Sequence, residues 1–217
     1  MAKHAIVVGA TGLVGSHLLD LLLKDSGYEK VTVITRRDTG ILNPKLEQIV
    51  IQLDKLDTVK PDLFKSAIIF CTLGTTIKIA KTKENFELVD YHYPLNLGRL
   101  AKSYGADRML IVTAMGSNAK SRFYYNRVKG KVEEELQKLG LPSLHILRPS
   151  LLLGERQEYR SGERWTAAIM EKVPFVFSGV LKKYKPIAAR TVASAMIRLA
   201  SQDNTGVKIV HSGEIQS

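Results

Sequence analysis

Apolar residues along this chain fall into two rhythms that take turns. Seven short runs are nearly continuously apolar and rich in Val and Ile: HAIVVG (4–9), KVTVITR (30–36), LEQIVIQ (46–52), SAIIFCTL (66–73), RMLIVTA (108–114), SLHILRPS (143–150) and GVKIVHS (206–212). Runs of this length and composition predict strands buried on both faces of a sheet. Between them, apolar residues recur at helical spacing: GSHLLDLLLKD (15–25), LDTVKPDLF (56–64), TKENFELVDYHYPLNLGRLAKSYG (82–105), YNRVKGKVEEELQKLG (125–140) and ARTVASAMIRLASQD (189–203). Strand and helix alternating from the first residues predict an α/β fold, a doubly wound parallel sheet with right-handed crossovers. The rhythm breaks from about residue 151 to 185, which reads as a small lobe over the carboxyl ends of the strands. The whole chain, 1–217, is thus expected to be one domain with an elaborated C-terminal part.

Glycines punctuate the first strand–helix junction. In VVGATGLVGSHLL, Gly9, Gly12 and Gly15 give the pattern G-x-x-G-x-x-G. Residues without Cβ are needed where a chain turns tightly and where it approaches a pyrophosphate, and the following helix aims its free N–H groups at the phosphates. The pattern is weak by itself and gains force from its place between a strand and a helix. No Gly-Lys-Ser/Thr follows, which argues against a phosphate-binding loop of the NTPase type.

The end of the second strand is where a dinucleotide fold selects its cofactor. A carboxylate there holds the adenosine ribose hydroxyls, and a basic residue accommodates a 2′-phosphate. This chain reads VTVITRRDTG, so Arg36 and Arg37 fill the position and favour NADP(H) over NAD(H). Asp38 follows and is the residue that would argue for NAD(H). After the third strand, Asp54 is placed either to touch the adenine edge or to cap the next helix.

Tyr125 and Lys129 stand four apart on one helix face. A phenol titrates near pH ~10, and a neighbouring ammonium can lower that by about one to three units. The pair can therefore exchange a proton with a carbonyl or alcohol near neutral pH. Tyr124 has no such partner, because Val128 stands four residues on.

Composition narrows the rest. With 217 residues and 45% apolar content the chain can bury one sizeable core. The formal charge of +11 fits an anionic cofactor or substrate, a polyanion, or plain solubility. The basic residues are spread out, without zinc-finger spacing or an RNA-binding aromatic signature, so nucleic acid is the weaker reading. No apolar run reaches membrane-spanning length, and MAKHAIVVG enters a strand without a signal peptide's leader. One cysteine, Cys71, lies in an apolar strand, which suits a buried thiol in a reducing compartment, and a cytoplasmic location is expected. His4, His17, His92, His145 and His211 are scattered, and no metal site is expected.

These segments together resemble the atypical short-chain dehydrogenase/reductase superfamily, in the single-domain branch of the Tat-interacting-protein-like oxidoreductases. The resemblance rests on GATGLVG, TRR, CTLGTT, YNRVKG and LRPSLLLGERQEYRSGE, spread from Val7 to about Arg164. It implies a Rossmann fold, NADP(H) binding and carbonyl–alcohol redox chemistry on a small-molecule substrate. By position, Gly9, Thr11, Gly12, Leu13, Val14 and Gly15 would line the pyrophosphate. Arg36 and Arg37 would take the 2′-phosphate, and Leu73 and Gly74 would pass beneath the adenosine half. Lys129 would hold the nicotinamide ribose and tune Tyr125, the proton donor, with Arg148 also near the cofactor. Such relatives usually carry a serine pair at the end of the fifth strand to hydrogen-bond the substrate carbonyl. Here Thr113 takes the first place and Ala114 the second, with Ser117 as a substitute hydroxyl from the next loop. The polar stretch GERQEYRSGERW reads as a solvated loop or as a substrate-side wall in which Arg156 or Arg160 binds an anionic group. A cofactor-sensing protein that shows a surface to a partner is the alternative to an enzyme. A homodimer is compatible with either.

Overall fold

In the computed structural model, residues 3–153 and 185–216 are described. All seven apolar runs form strands: β1 (Lys3–Val8), β2 (Tyr28–Thr35), β3 (Leu46–Val50), β4 (Ile68–Cys71), β5 (Arg108–Val112), β6 (Ser143–Arg148) and, last in the chain, β9 (Gly206–His211). They make a seven-stranded sheet in the order β3-β2-β1-β4-β5-β6-β9, and every pairing is parallel. The strand order reverses between β1 and β4, so their carboxyl ends open a crevice at the switch point of the Rossmann fold.

Helices cover both faces, as continuously apolar strands require. Helix α1 (Leu13–Lys24) buries Leu18, Leu19 and Leu22 against one face, together with α6 (Ala189–Ala200), which buries Val192, Met196 and Leu199. On the other face lie α4 (Tyr93–Ser103), with Leu97 and Ala101 inward, and α5 (Tyr124–Lys138), with Val132 and Leu136 inward. Gly98 lets α4 approach α5 closely, because a Cβ there would overlap the Leu136 side chain. A short helix, α7 (Ser212–Ile215), closes the described chain.

Two expectations are corrected. The 56–64 segment is not an α-helix; it overlaps two 3-10 stretches, Leu53–Thr58 and Pro61–Leu63, separated by extended backbone at Val59. Pro61 disfavours helical geometry at Lys60, and Lys55 has already left it (φ −106°, ψ 23°). The 82–105 segment is helical but not uniform. It runs from α3 (Lys83–Glu87) through a π turn (Leu88–His92) into α4, preceded by the short α2 (Ile77–Ala80).

Beyond β6, β7 (Leu152–Leu153) pairs in parallel with β8 (Ile187–Ala188). The Leu151 carbonyl accepts from the Ile187 N–H at 2.9 Å, and the Ser150 hydroxyl donates to the Lys185 carbonyl at 2.5 Å. These contacts bring residues 150–153 and 185–188 together beside the end of β6. The expected lobe, with Arg156 and Arg160, lies outside the described residues apart from these ends.

Candidate active site

The glycine loop is built by exclusion of Cβ atoms. Gly9 has φ +96°, and a Cβ there would come within 2.7 Å of the Thr72 backbone at the exit of β4. A Cβ at Gly15 would overlap the Gly9 carbonyl oxygen, so only glycine lets α1 start this close to β1. Gly12 is the N-cap of α1 and has no side chain to satisfy the helix's opening N–H groups. Its own N–H bonds to the Gly9 carbonyl at 3.0 Å. Among the described residues nothing accepts from the N–H groups of Leu13, Val14 or Gly15. No acidic residue occupies the first turn. Three open donors, a positive helix end and the exposed Thr11 and Gly12 form a seat for an anion.

Arg36 and Arg37 are exposed where the chain leaves β2, and neither takes part in an ion pair among the described residues. Asp38 is turned back on its own loop, where Oδ1 accepts from the Gly40 N–H at 2.7 Å and from the Gln48 side chain at 3.2 Å. Asp54 does not cap the 3-10 stretch, since Gln52 holds the N-cap position without a side-chain bond. Asp54 and Arg36 both act on Tyr93, at the start of α4. Burial raises the Tyr93 pKa first, Asp54 raises it further, and Arg36 opposes them.

The second half of the crevice is carried by α5. Lys129 is buried, and its Nζ lies 2.8 Å from Asp90 Oδ1. Burial by itself would push the Lys129 pKa down. The Asp90 carboxylate, then Tyr125, outweigh it and hold the value above that of an ordinary lysine. The other Asp90 oxygen accepts from the Thr75 N–H at 2.9 Å. A Cβ on Gly74 would sit 3.5 Å from Lys129 Nζ and 3.6 Å from Asp90, so the chain leaving β4 passes directly over the pair. Burial pushes the Cys71 thiol beneath it up to about 11, so Cys71 carries no charge at neutral pH.

Half-buried Tyr125 packs on the fully buried Phe86, with ring centroids 5.5 Å apart. Tyr124 lies on the same Phe86 at 5.8 Å but is otherwise occupied. Its hydroxyl donates to the Lys83 carbonyl at 3.1 Å, and burial with the Glu87 carboxylate pushes its pKa up to about 12.

Thr113, Ser117 and Arg148 form a different grouping. The Thr113 hydroxyl donates to the buried Glu133 carboxylate at 2.5 Å, and Arg148 grips the same carboxylate through Nε and a terminal nitrogen. Ser117 donates to the Ala114 carbonyl at 2.7 Å. Ser117 and Arg148 line a polar cleft of about 310 Å³, with Gly130 and Gln137 but without Tyr125 or Lys129. Asp90 and Glu133 are the partners that the sequence reading missed. Glu133 was open to discovery, since it continues the Tyr125–Lys129 face by another four residues. Among the described residues no group of three or more His, Cys, Asp or Glu could hold a metal. No described helix is long and apolar enough to cross a membrane.

The fold has solved counterparts. MoeE5 in complex with UDP-glucuronic acid and NAD superposes with TM-score 0.71 at 17% identity, covering 95% of this chain and 75% of that one. The Bordetella bronchiseptica enzyme WbmH in complex with NAD+ gives 0.70 at 19% identity, over 98% and 77%. Closer in sequence, the mitochondrial protein FMP52 of Eremothecium gossypii is 34% identical over 99% of this chain and 96% of its own. HTATIP2 of Rattus norvegicus is 35% identical over 76% and 69%. Similar proteins from Aspergillus fumigatus and Debaryomyces hansenii are also named mitochondrial, which overturns the cytoplasmic expectation. A single buried cysteine reports a reducing milieu, and that does not single out one compartment. The family model HIM1 matches residues 39–177, and with these relatives it shows that the chain belongs to the HIM1 family, within the atypical short-chain dehydrogenase/reductases of the Tat-interacting-protein-like branch.

Proposed function

We propose that the protein is an NADPH-dependent oxidoreductase that interconverts a small carbonyl compound and its alcohol. The observation that carries this reading is a continuous set of contacts. Gly9 abuts Thr72 and Leu73, the chain runs on through Gly74, and Gly74 covers Lys129, whose helix carries Tyr125 one turn earlier. The anion seat and the Tyr–Lys pair therefore belong to one crevice.

The residues present fit the cofactor. The open N–H groups of Leu13, Val14 and Gly15 would receive the pyrophosphate, with Gly9, Thr11 and Gly12 around it. Arg36 and Arg37 would hold the 2′-phosphate, while Asp38 Oδ1 is engaged by the Gly40 N–H and the Gln48 side chain. Leu73 and Gly74 would pass beneath the adenosine half, and exposed Asp54 is free to meet the adenine edge. When bound, NADPH supplies the hydride that a carbonyl carbon accepts, and NADP+ takes it back from the alcohol. Tyr125 delivers its phenolic proton to the carbonyl oxygen, or removes it from the alcohol, and Lys129 stabilises the phenolate left behind. Lys129 would also donate to the nicotinamide ribose.

The test is a calorimetric titration with NADPH and with NADH. NADPH is expected to bind at least tenfold more tightly, about 1.4 kcal/mol, and the Arg36→Ala, Arg37→Ala double variant to lose that preference. Failure of both cofactors to bind ends this reading.

The Thr113 hydroxyl favours a second reading. It is spent on Glu133, and Ala114 follows it, so the usual substrate-orienting pair is missing. A protein of this kind would bind NADPH and show a partner a surface that depends on it. NADPH consumption across aldehydes, ketones and quinones separates the two.

A further inference from the structure

We propose that Asp90 is a positioning residue that locks the Lys129 side chain as an aimed ammonium, making cofactor binding insensitive to pH across the neutral and mildly alkaline range. The inference rests on the reading of Lys129 as a cofactor ligand, and it extends that reading to a residue outside the Tyr-x-x-x-Lys pattern.

A buried lysine is not charged by default, because loss of hydration favours the neutral amine. Lys129 is buried, with 3% of its surface exposed. The titratable groups that face it are Asp90 from the π turn, Tyr125 from its own helix and Cys71 from the end of β4. Cys71 is held as a neutral thiol. The carboxylate of Asp90 is therefore the counter-charge that keeps the ammonium in place, at 2.8 Å and itself fully buried.

The backbone is shaped to deliver that carboxylate. Asp90 sits in the π turn, whose extra residue shifts the helical phase between α3 and α4. Phe86, one turn before, already faces Tyr125, and the π turn brings Asp90 onto Lys129. The Thr75 N–H fixes the second carboxylate oxygen from the opposite side, at 2.9 Å. The Lys129 ammonium lies 2.8 Å from Asp90 Oδ1 and carries three donors, so pairing with Asp90 does not exhaust them. The chemistry implied is recognition of a neutral vicinal diol, such as a ribose, by an ammonium whose charge is already compensated.

The experiment compares the wild type, Asp90→Asn, Lys129→Met and the double variant by thermal melting and by NADPH calorimetry from pH 7 to 9.5. Melting tests the lock without reference to the cofactor. Asp90→Asn leaves a buried lysine without its counter-charge, so the folded-state lysine pKa falls below its unfolded value. Stability then rises with pH relative to the wild type, and adding Lys129→Met abolishes that rise. Should Asp90→Asn fail to fold, recovery of a folded protein in the double variant supports the lock, and no recovery overturns it. In calorimetry, the wild type holds its NADPH affinity across the range, whereas Asp90→Asn loses at least tenfold between pH 7 and 9.5. Identical pH profiles for wild type and Asp90→Asn, in melting or in binding, overturn the proposal. A wild type that binds no NADPH refutes the cofactor reading instead, with melting still deciding the fate of the ion pair.

Discussion

Tyr125 and Tyr124 are neighbours in sequence with opposite prospects. Tyr124 spends its proton on the Lys83 carbonyl and has an elevated pKa, whereas Tyr125 lies beside a lysine held as an ammonium. Replacing Tyr125 by Phe keeps the packing on Phe86 and removes only the hydroxyl. Turnover of an accepted carbonyl substrate is expected to fall roughly 10²–10⁴-fold, with NADPH affinity unchanged. Steady-state rates and calorimetry read the two quantities separately, and near-normal turnover would remove Tyr125 from the mechanism. The Tyr–Lys pair was legible because a helical spacing of four survives any tertiary context. Asp90 was not, because FELVDYHYP reads as ordinary amphipathic helix and its carboxylate turns inward only through the π turn. Thr113 holds the first place of the expected carbonyl-binding pair, and nothing local to β5 signals that its hydroxyl is taken by Glu133, twenty residues on.

At the level of elements, the strands were legible because continuous Val- and Ile-rich runs have no stable place except a sheet covered twice. The 3-10 stretches were not, since LDTVKPDLF has helical spacing and its proline decides the matter locally. The glycine junction makes a graded prediction. Gly15→Ala places a methyl group on the Gly9 carbonyl, so α1 must draw back from β1. Loss of both melting temperature and NADPH binding is expected. Gly12→Ala meets the same carbonyl at 3.2 Å, a strain that a small shift relieves. NADPH affinity should fall in that variant with little change in melting. Equal effects of the two substitutions on stability would show that the loop is not limited by the room available to Cβ.

At the scale of the whole molecule, one strongly shifted group lies on a strand of the sheet, outside the Tyr125–Lys129 pair. His145, on β6, is buried with Nδ1 unpartnered among the described residues. Burial first, then the charges of Arg108 and Lys208, lower its pKa to about 4. The unfolded chain binds that proton near pH ~6.5. A folded pKa below the unfolded one means that stability is complete above about pH 6.5, declines as pH falls toward 4, and levels below it. Roughly 3 kcal/mol is at stake. Urea denaturation of His145→Phe should show a flatter profile between pH 7 and 4.5 than the wild type, and parallel profiles would assign the acid sensitivity elsewhere.

The joint between Leu152–Leu153 and Ile187–Ala188 also bears on how such proteins diverge. Because the two ends are joined beside β6, the separation between residues 153 and 187 is set by the main domain. Each doubling of a closed excursion costs only about 0.6 kcal/mol. A joint of this kind lets the main domain keep its geometry whatever length of chain it closes.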